Sequence, residues 1–333
     1  MHTSLTVIWA GIVVFAVVMY VIMDGFDLGI GILFTRFQVG VERDTAMNTI
    51  APLWDGNETW LVMGGGSLMA AFPLAYAIIL PALYAPLIAM LLGLVFRGVA
   101  FEFRWRDPNH RARWDAAFCL GSLVATLAQG ITLGALLQGI AIRGRAYAGG
   151  YWDWLTPFSL LTGLSLLVGY ALLGACWLVW KSDGKLNAAA RTYARRLTVA
   201  LIAAIGLVSI WTPFLKPKYF DTWFTWPGLV ATALMPIVVG FLGVALFRRI
   251  GRGHDASPFV LTLALFGLSL VGLAISFWPD LIPGSLSIWD AAAPPRSQAF
   301  MLVGACILLP VILTYTGWAY WVFRGKVAHE GYH

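Results

Sequence analysis

Four acidic residues stand out because they occupy segments that are otherwise almost entirely apolar. Asp24 and Asp27 are three residues apart in the first apolar segment, and Asp55 and Glu58 are three apart in the second. A spacing of i,i+3 places both members of each pair on one face of a helix. Two such faces could meet in a helical bundle and bring the four carboxyl groups together.

Carboxyl groups in such surroundings suit proton transfer or ion coordination. Burial disfavours the charged form of an acid, so a buried carboxyl group binds a proton readily. Acids within membrane segments are therefore candidates for functional sites. A structural alternative stays open, in which the acids pair with Arg36, Arg43 or Arg97 or cap helix ends near the inner membrane surface.

Several neighbours could modify the chemistry of these acids. Arg97 lies in an apolar run, where it either extends to the inner surface or serves as a counter-charge to one of the acids. Trp54 and Trp60 flank the second acidic pair, and anchoring at the membrane interface would explain one of them. The Asn57 amide can hydrogen-bond a buried carboxylate or a backbone group.

The composition places these residues in a membrane protein. Of 333 residues, 60% are hydrophobic and only 11% are charged, whereas soluble domains carry about 25% charged residues. The net charge of +6 does not indicate nucleic-acid binding, because the basic residues fall in short loops between apolar segments. The fold class is therefore predicted to be an all-α, polytopic integral membrane protein.

The hydrophobic pattern predicts nine transmembrane helices in a single transmembrane domain, 1–333, since a bilayer core needs about 20 apolar residues per helix. The predicted spans are 6–34, 50–71, 74–103, 115–141, 156–180, 197–215, 225–247, 257–278 and 299–323. A tight turn is predicted at residues 70–73, and polar loops at 104–114, 181–196 and 279–298. An outside N-terminus and a cytoplasmic C-terminus then place 17 of the 22 Lys and Arg residues on the inner side.

Histidine and cysteine positions argue against a metal site in this chain. All five histidines fall in predicted loops or near the termini, at His2, His110, His254, His329 and His333. Haem iron in membrane cytochromes is usually bound by His or Met within the bundle, so we predict no metal ligands here. Cys119, Cys176 and Cys306 are far apart in apolar segments and are expected to be buried and unpaired.

Gly25 and Gly29 predict a close helix contact. They are four residues apart, the small-xxx-small spacing that allows two helix backbones to touch in a membrane. The run Gly64-Gly65-Gly66 is interpreted in the same way or as a loosened helix.

The polar motifs together resemble those of a known family. The sequence is similar to subunit II of the cytochrome bd-type quinol oxidases, most strongly over roughly its first 105 residues. The motifs that carry the resemblance are Asp24-Gly25-Phe26-Asp27-Leu28-Gly29, the run from Asn48 through Trp54-Asp55-Gly56-Asn57-Glu58-Thr59-Trp60 to Leu61, and Ala70-Ala71-Phe72-Pro73 with Tyr76.

The resemblance implies a partner and a task. It implies two four-helix groups with a peripheral ninth helix, beside a subunit I that holds two b-type haems, one d-type haem and the quinol-oxidising loop. The complex reduces O₂ to water in the bacterial or archaeal cytoplasmic membrane, in contact with lipid and quinone, and can carry small single-helix accessory subunits. No cofactor is expected to be ligated by this chain.

The resemblance also assigns roles to the polar residues. By position, Asp55 and Trp54 match motif residues of a cytoplasm-facing proton path toward the haems, and Asp24 and Asp27 match the acids of the first-helix motif. Glu58 completes the set of proton-transfer candidates, with Arg97 as a candidate counter-charge.

A proton- or cation-coupled transporter remains the alternative function, using the same acids as an ion site. Transporters built from inverted repeats often show paired interrupted helices in both halves, whereas the polar interruption here lies in the first third of the chain. The two functions differ in pigment: an oxidase subunit co-purifies with haem that stays with its partner, and a transporter moves solute alone in liposomes.

If Asp55 conducts protons, the Asp55→Asn variant should slow quinol-driven O₂ uptake while haem content stays normal, because an amide cannot carry the proton. Oxygen uptake by purified complex, normalised to haem absorbance, measures this. Unchanged turnover would remove Asp55 from the path.

Overall fold

Helices dominate the chain, for which a computed structural model describes residues 2–226 and 228–327. The apolar composition explains this, because a helix satisfies all of its backbone hydrogen bonds internally within lipid. The described helices are α1 His2–Leu33, α2 Val41–Asn48, α3 Trp54–Ala71, α4 Pro73–Ala82, α5 Tyr84–Arg106, α6 Arg111–Gln138, α7 Pro157–Lys181, α8 Gly184–Trp211, α9 Pro217–Phe224, α10 Gly228–Gly251, α11 Ala256–Phe277 and α12 Pro295–Val322.

Two small hairpins are the strands among the described residues. They pair β1 Ile142–Arg143 with β2 Ala146–Tyr147, and β3 Asp280–Ile282 with β4 Leu286–Ser287, both antiparallel. Gly144 turns the first with φ +64°, a conformation that favours glycine.

The all-α, polytopic prediction is confirmed, and the count of spans differs by one. Within the described residues, eight helices are long and apolar enough to cross a membrane: α1, α5, α6, α7, α8, α10, α11 and α12. The predicted second span corresponds to α3, which has 18 residues. Near its start it carries Asp55, Asn57 and Glu58, and these polar side chains lower its hydropathy below that of the other long helices.

The predicted turn at residues 70–73 is confirmed, but the span that follows it is divided. Helix α3 ends at Ala71, Phe72 is non-helical, and Pro73 opens α4, where a proline without N–H is tolerated. The predicted helix 74–103 then breaks at Leu83. Pro86 explains the break, because it cannot donate to the carbonyl group four residues earlier.

The predicted loops 104–114 and 181–196 are largely wrong, because the helices on both sides extend into them. Helix α8 begins at Gly184, thirteen residues before the predicted span. The extension contains Ala188, Ala189 and Ala190, which are strong helix formers. Its Arg191 donates hydrogen bonds to the carbonyl oxygens of residues 250, 253 and 254, which fixes the polar end of α8 against the turn between α10 and α11.

The eight apolar helices and α3 form two groups of four and one outlying helix, as predicted. Helices α7, α8, α10 and α11 contact one another in a ring, and α1, α3, α5 and α6 lie beside them. Helix α12 contacts α1 and α3. Only 11% of the residues in its most apolar stretch are buried, compared with 61% for α7. One apolar core joins the groups, and in it Phe26 of α1 stacks on Trp177 of α7 with ring centroids 4.2 Å apart.

Glycine sets the closest approach between the groups. A Cβ on Gly29 would overlap the carbonyl oxygen of Tyr170, and a Cβ on Gly174 would overlap the backbone of Gly29. A Cβ on Gly25 would lie 2.8 Å from the Tyr170 ring. The predicted contact therefore lies between α1 and α7. For Gly64, Gly65 and Gly66 a Cβ meets no described atom closer than 3.7 Å, so this run does not support a comparably tight contact.

The three cysteines are free, but their burial was predicted only in part. Cys119 and Cys176 are buried as expected. Cys306 is exposed, because it lies on the outlying helix α12. The prediction that Cys306 is buried is therefore wrong.

Gly29→Leu should greatly reduce assembly of the folded chain, because the side chain would have to separate α1 from α7 at a backbone contact. The matched control is Gly206→Leu on α8, where a Cβ meets nothing within 4 Å among the described residues. Yield of monodisperse protein after detergent extraction measures both. Equal yield for the two variants would contradict the contact.

Candidate functional site

Arg97 lies at the centre of a buried cluster of charges from three helices. Its Nη1 lies 2.8 Å from Oδ1 of Asp24 and donates to Oε1 of Glu58 at 2.7 Å. Its Nη2 lies 3.6 Å from Oδ2 of Asp27. The side chains of Arg97, Asp24 and Asp27 are fully buried, while that of Glu58 is 26% exposed. Arg97 therefore does not extend to a membrane surface, and the arrangement is that of a counter-charge.

The local sequence explains how these side chains meet. Asp24 and Asp27 share one face of α1, while Gly25 and Gly29 allow α1 to lie against α7. Gly93, one turn before Arg97, allows α5 to approach α6 closely, since a Cβ there would lie 2.7 Å from the Gly121 carbonyl oxygen. Small residues thus hold the helix backbones close enough for short polar side chains to reach one guanidinium group.

Aromatic rings close one side of the cluster. The Trp54 ring stacks on Phe101 with centroids 4.8 Å apart and planes 4° apart. The guanidinium carbon of Arg97 lies 5.9 Å from each ring centroid, within the range of a cation–π interaction. Trp54 is half-buried here. Trp60 is fully buried and packs against Phe15, so interface anchoring does not account for it.

Asn57 connects the cluster to α12. Its Nδ2 donates to Oδ2 of Asp27 at 2.7 Å and to the carbonyl oxygen of Met23 at 3.3 Å. Its Oδ1 accepts a hydrogen bond from the Tyr320 hydroxyl at 3.0 Å.

A second polar chain leaves the cluster toward α6 and α7. Tyr20 lies one turn before Asp24 and interacts with it. The Tyr20 hydroxyl accepts from Nε2 of Gln129 at 2.7 Å, and the Tyr170 hydroxyl donates to Oε1 of Gln129 at 3.1 Å.

Asp55 lies apart from the four residues described above. It is exposed on the surface of the chain, so the expectation that it would be buried is wrong. The spacing argument was correct for Asp24 and Asp27, but in the second pair only Glu58 reaches the guanidinium group. Asp55 lies in the first turn of α3 with its side chain exposed, whereas Glu58, three residues later, contacts Arg97.

The charges of the cluster favour proton binding. One guanidinium group faces three carboxyl groups, so ionisation of all three would leave excess negative charge in a site of low polarity. Like charges held close together disfavour full ionisation. The cluster can therefore hold at least one exchangeable proton, and the partly exposed Glu58 gives that proton access to the surface.

A second buried charge cluster lies near the ends of α5 and α6. The Arg104 side chain is 1% exposed and pairs with Asp44 of α2 and with Asp115 of α6. Arg43 of α2 pairs with the other oxygen of Asp115 at 2.7 Å. These ion pairs tie α2 to the ends of α5 and α6. Glu102, two residues before Arg104, is exposed.

The histidines of the described residues lie at helix ends or in turns, away from the buried cluster. His110 is exposed and interacts with Asp107, and His254 is exposed in the turn between α10 and α11. His2 begins α1, while His329 and His333 lie outside the described residues. Within the described chain, no three His, Cys, Asp or Glu side chains are grouped for metal binding.

Fold and site define an all-α, polytopic membrane protein with a buried carboxylate–guanidinium cluster. The chain belongs to the cytochrome bd terminal oxidase subunit II family, whose sequence model matches residues 5–323. The resemblance inferred from the motifs is therefore confirmed.

Relatives match along almost the whole chain. The cytochrome bd ubiquinol oxidase subunit 2 of Bacillus subtilis is 30% identical and covers 98% of both chains. The cytochrome bd-I ubiquinol oxidase subunit 2 of Escherichia coli K12 is 29% identical over 99% of this chain and 97% of its own. A chain of the bd oxidase from Geobacillus thermodenitrificans has the same fold, with a TM-score of 0.76, 18% identity and coverage of 97% and 100%.

Sequence reasoning missed the outer members of the network, namely Tyr20, Gln129, Tyr170 and Tyr320. Gln129 gave a detectable signal, because it is an amide in the middle of an apolar helix. The tyrosines gave no such signal, since tyrosine is common at membrane interfaces and does not by itself indicate a buried polar contact.

Arg97→Gln should destabilise the chain by about 3–5 kcal/mol, because it leaves buried carboxyl groups without their counter-charge. The control Arg106→Gln removes an exposed pair with Glu102 and should change stability by less than about 1 kcal/mol. Thermal unfolding in detergent compares the two. Adding Asp24→Asn to Arg97→Gln should restore part of the loss, and equal stability of both single variants would contradict the result.

Proposed function

We propose that this chain is the haem-free subunit II of a bd-type quinol:O₂ oxidoreductase, and that it supports the haem-bearing subunit I and supplies part of a proton route. The observation that carries the proposal is the buried cluster of Arg97, Asp24, Asp27 and Glu58 in a member of this family. Reduction of O₂ to water consumes protons, and these residues bind protons away from bulk water.

The proposed route enters at Glu58, the most accessible acid of the cluster. Glu58 and Asp24 both lie against Nη1 of Arg97, at 2.7 and 2.8 Å, so a proton leaving one acid is close to the other. Asp27 offers a further acceptor, since its Oδ1 accepts no hydrogen bond from the described residues. Arg97 stabilises the carboxylate that each transfer leaves behind.

Asp55 and Trp54 extend the proposed route toward the surface. Asp55 is one turn before Glu58 and is exposed, so it can take protons from water or from the partner surface. Trp54 covers the guanidinium group and excludes water from that side. We propose that this entrance faces the cytoplasm, as the distribution of basic residues predicts.

The proposed partner is subunit I, which would hold both b-type haems and the d-type haem. Haem supplies the redox chemistry when bound there, and the residues of this chain deliver protons. The exposed apolar faces of α10 and α12 suit contact with lipid or with such a partner. Family membership favours this function over a proton- or cation-coupled transporter.

Glu58→Gln and Asp24→Asn should each slow quinol-driven O₂ uptake by about an order of magnitude, equivalent to roughly 1.4 kcal/mol in barrier height, because an amide cannot relay the proton. Haem absorbance of the complex should remain normal. The control is Glu102→Gln, an exposed acid on α5, which should retain full turnover. Full turnover in both cluster variants would disprove the route.

A further inference from the structure

Tyr320 is an unexpected member of the cluster, because α12 is the least buried of the eight long apolar helices. Its hydroxyl nevertheless donates to Oδ1 of Asn57 at 3.0 Å, and Asn57 is 1% exposed. Nothing in the proposed proton route uses this contact.

The three hydrogen bonds of Asn57 together define which way its amide points. A side-chain amide has a carbonyl oxygen that only accepts and an NH₂ group that only donates. The Met23 carbonyl oxygen can only accept, so the NH₂ group faces it and the neighbouring Oδ2 of Asp27. The Tyr320 hydroxyl then donates to the amide oxygen on the opposite side. The three contacts are consistent with one amide orientation.

The direction of the Asn57 amide affects which acid of the cluster is protonated. An NH₂ donor is satisfied by an ionised carboxylate oxygen, whereas a reversed amide would present its oxygen to Asp27 and would require a protonated carboxyl group there. By satisfying the buried amide oxygen, Tyr320 keeps the amide in this position, which favours the ionised form of Asp27.

Both ends of α12 are fixed, so Tyr320 has a defined position. Near the start of α12, the Gln298 carbonyl oxygen accepts from Nε1 of Trp9 at 3.0 Å. Beyond its last turn, Nζ of Lys181 donates to the carbonyl oxygens of Phe323 and Gly325 at 2.8 and 3.2 Å. The Tyr320 ring also packs edge-on against Trp177, with centroids 6.3 Å apart.

We propose that Tyr320 is a positioning residue: it fixes the Asn57 amide as a donor to Asp27 and thereby directs the proton of the cluster to Asp24 or Glu58. This inference rests on the proposed proton route. It adds an element on α12 that sets the order in which the acids bind protons.

Titratable and charged groups from every neighbouring helix affect how the proton is distributed among the acids. Within the described residues they are Arg97 from α5, Asp24 and Tyr20 from α1, Glu58 and Asp55 from α3, Tyr170 from α7 and Tyr320 itself.

The test is Tyr320→Phe in the intact complex, which keeps the ring but removes the donor. The buried amide oxygen of Asn57 then loses this donor and the amide is held less firmly against Asp27, so Asp27 should keep its proton to higher pH. The pH profile of quinol-driven O₂ uptake should move toward alkaline pH by roughly half to one unit, the size expected for one hydrogen bond. Haem content and thermal stability should stay near those of the parent complex.

Two controls isolate the contact. Tyr315→Phe removes an exposed hydroxyl from the same helix and should leave the pH profile unchanged. Tyr320→Phe added to Asn57→Leu should produce no further shift, because the amide that Tyr320 holds in place is already gone. An additional shift of the same size in that background would overturn the proposal.

Infrared titration of the complex separates this inference from the proton route. The carbonyl band of a protonated carboxyl group, assigned to Asp27 by its loss in Asp27→Asn, should persist to higher pH in Tyr320→Phe. This shift with unchanged turnover in Glu58→Gln and Asp24→Asn would refute the route but retain the positioning role. An unchanged band in Tyr320→Phe would refute the positioning role, whatever the turnover.

Discussion

The structure depends on one constraint: the guanidinium group of Arg97 is fully removed from water and must find its partners inside the chain. An uncompensated charge in this environment is far more costly than any single apolar contact is favourable. Asp24, Asp27 and Glu58 satisfy it, and they come from two helices that do not adjoin α5 in sequence. The ion pairs therefore fix the arrangement of α1, α3 and α5 relative to one another.

The close helix contacts follow from the same constraint. Carboxylate side chains are short, so the backbones must approach each other to bring three of them to one guanidinium group. Glycine at positions 29, 93, 121 and 174 removes the side chains that would keep the helices apart. Packing and electrostatics are thus coupled in the first half of the chain, whereas the second half packs mainly through apolar side chains.

Hydropathy was sufficient to predict most of the fold, because the membrane requires long apolar helices. It failed where local chemistry acted against the pattern. Pro86 divides a segment that is uniformly apolar, and the polar start of α8 is helical because alanine and arginine favour helix there. The i,i+3 spacing found Asp24 and Asp27 but could not show which side of α3 faces inward. It therefore did not reveal that Glu58, and not Asp55, reaches Arg97. The link from Tyr320 to Asn57 spans most of the chain and has no local sequence signal.

The order of residues in the charge cluster has a consequence for biosynthesis. Asp24, Asp27 and Glu58 are synthesised before Arg97; at about 5–20 residues per second, α1 waits on the order of several seconds for its counter-charge. Release of α1 alone into lipid would expose two acids to hydrocarbon. The insertion machinery must therefore retain α1 and α3, or keep their acids protonated, until α5 arrives, so that the first third of the protein enters the bilayer as one unit.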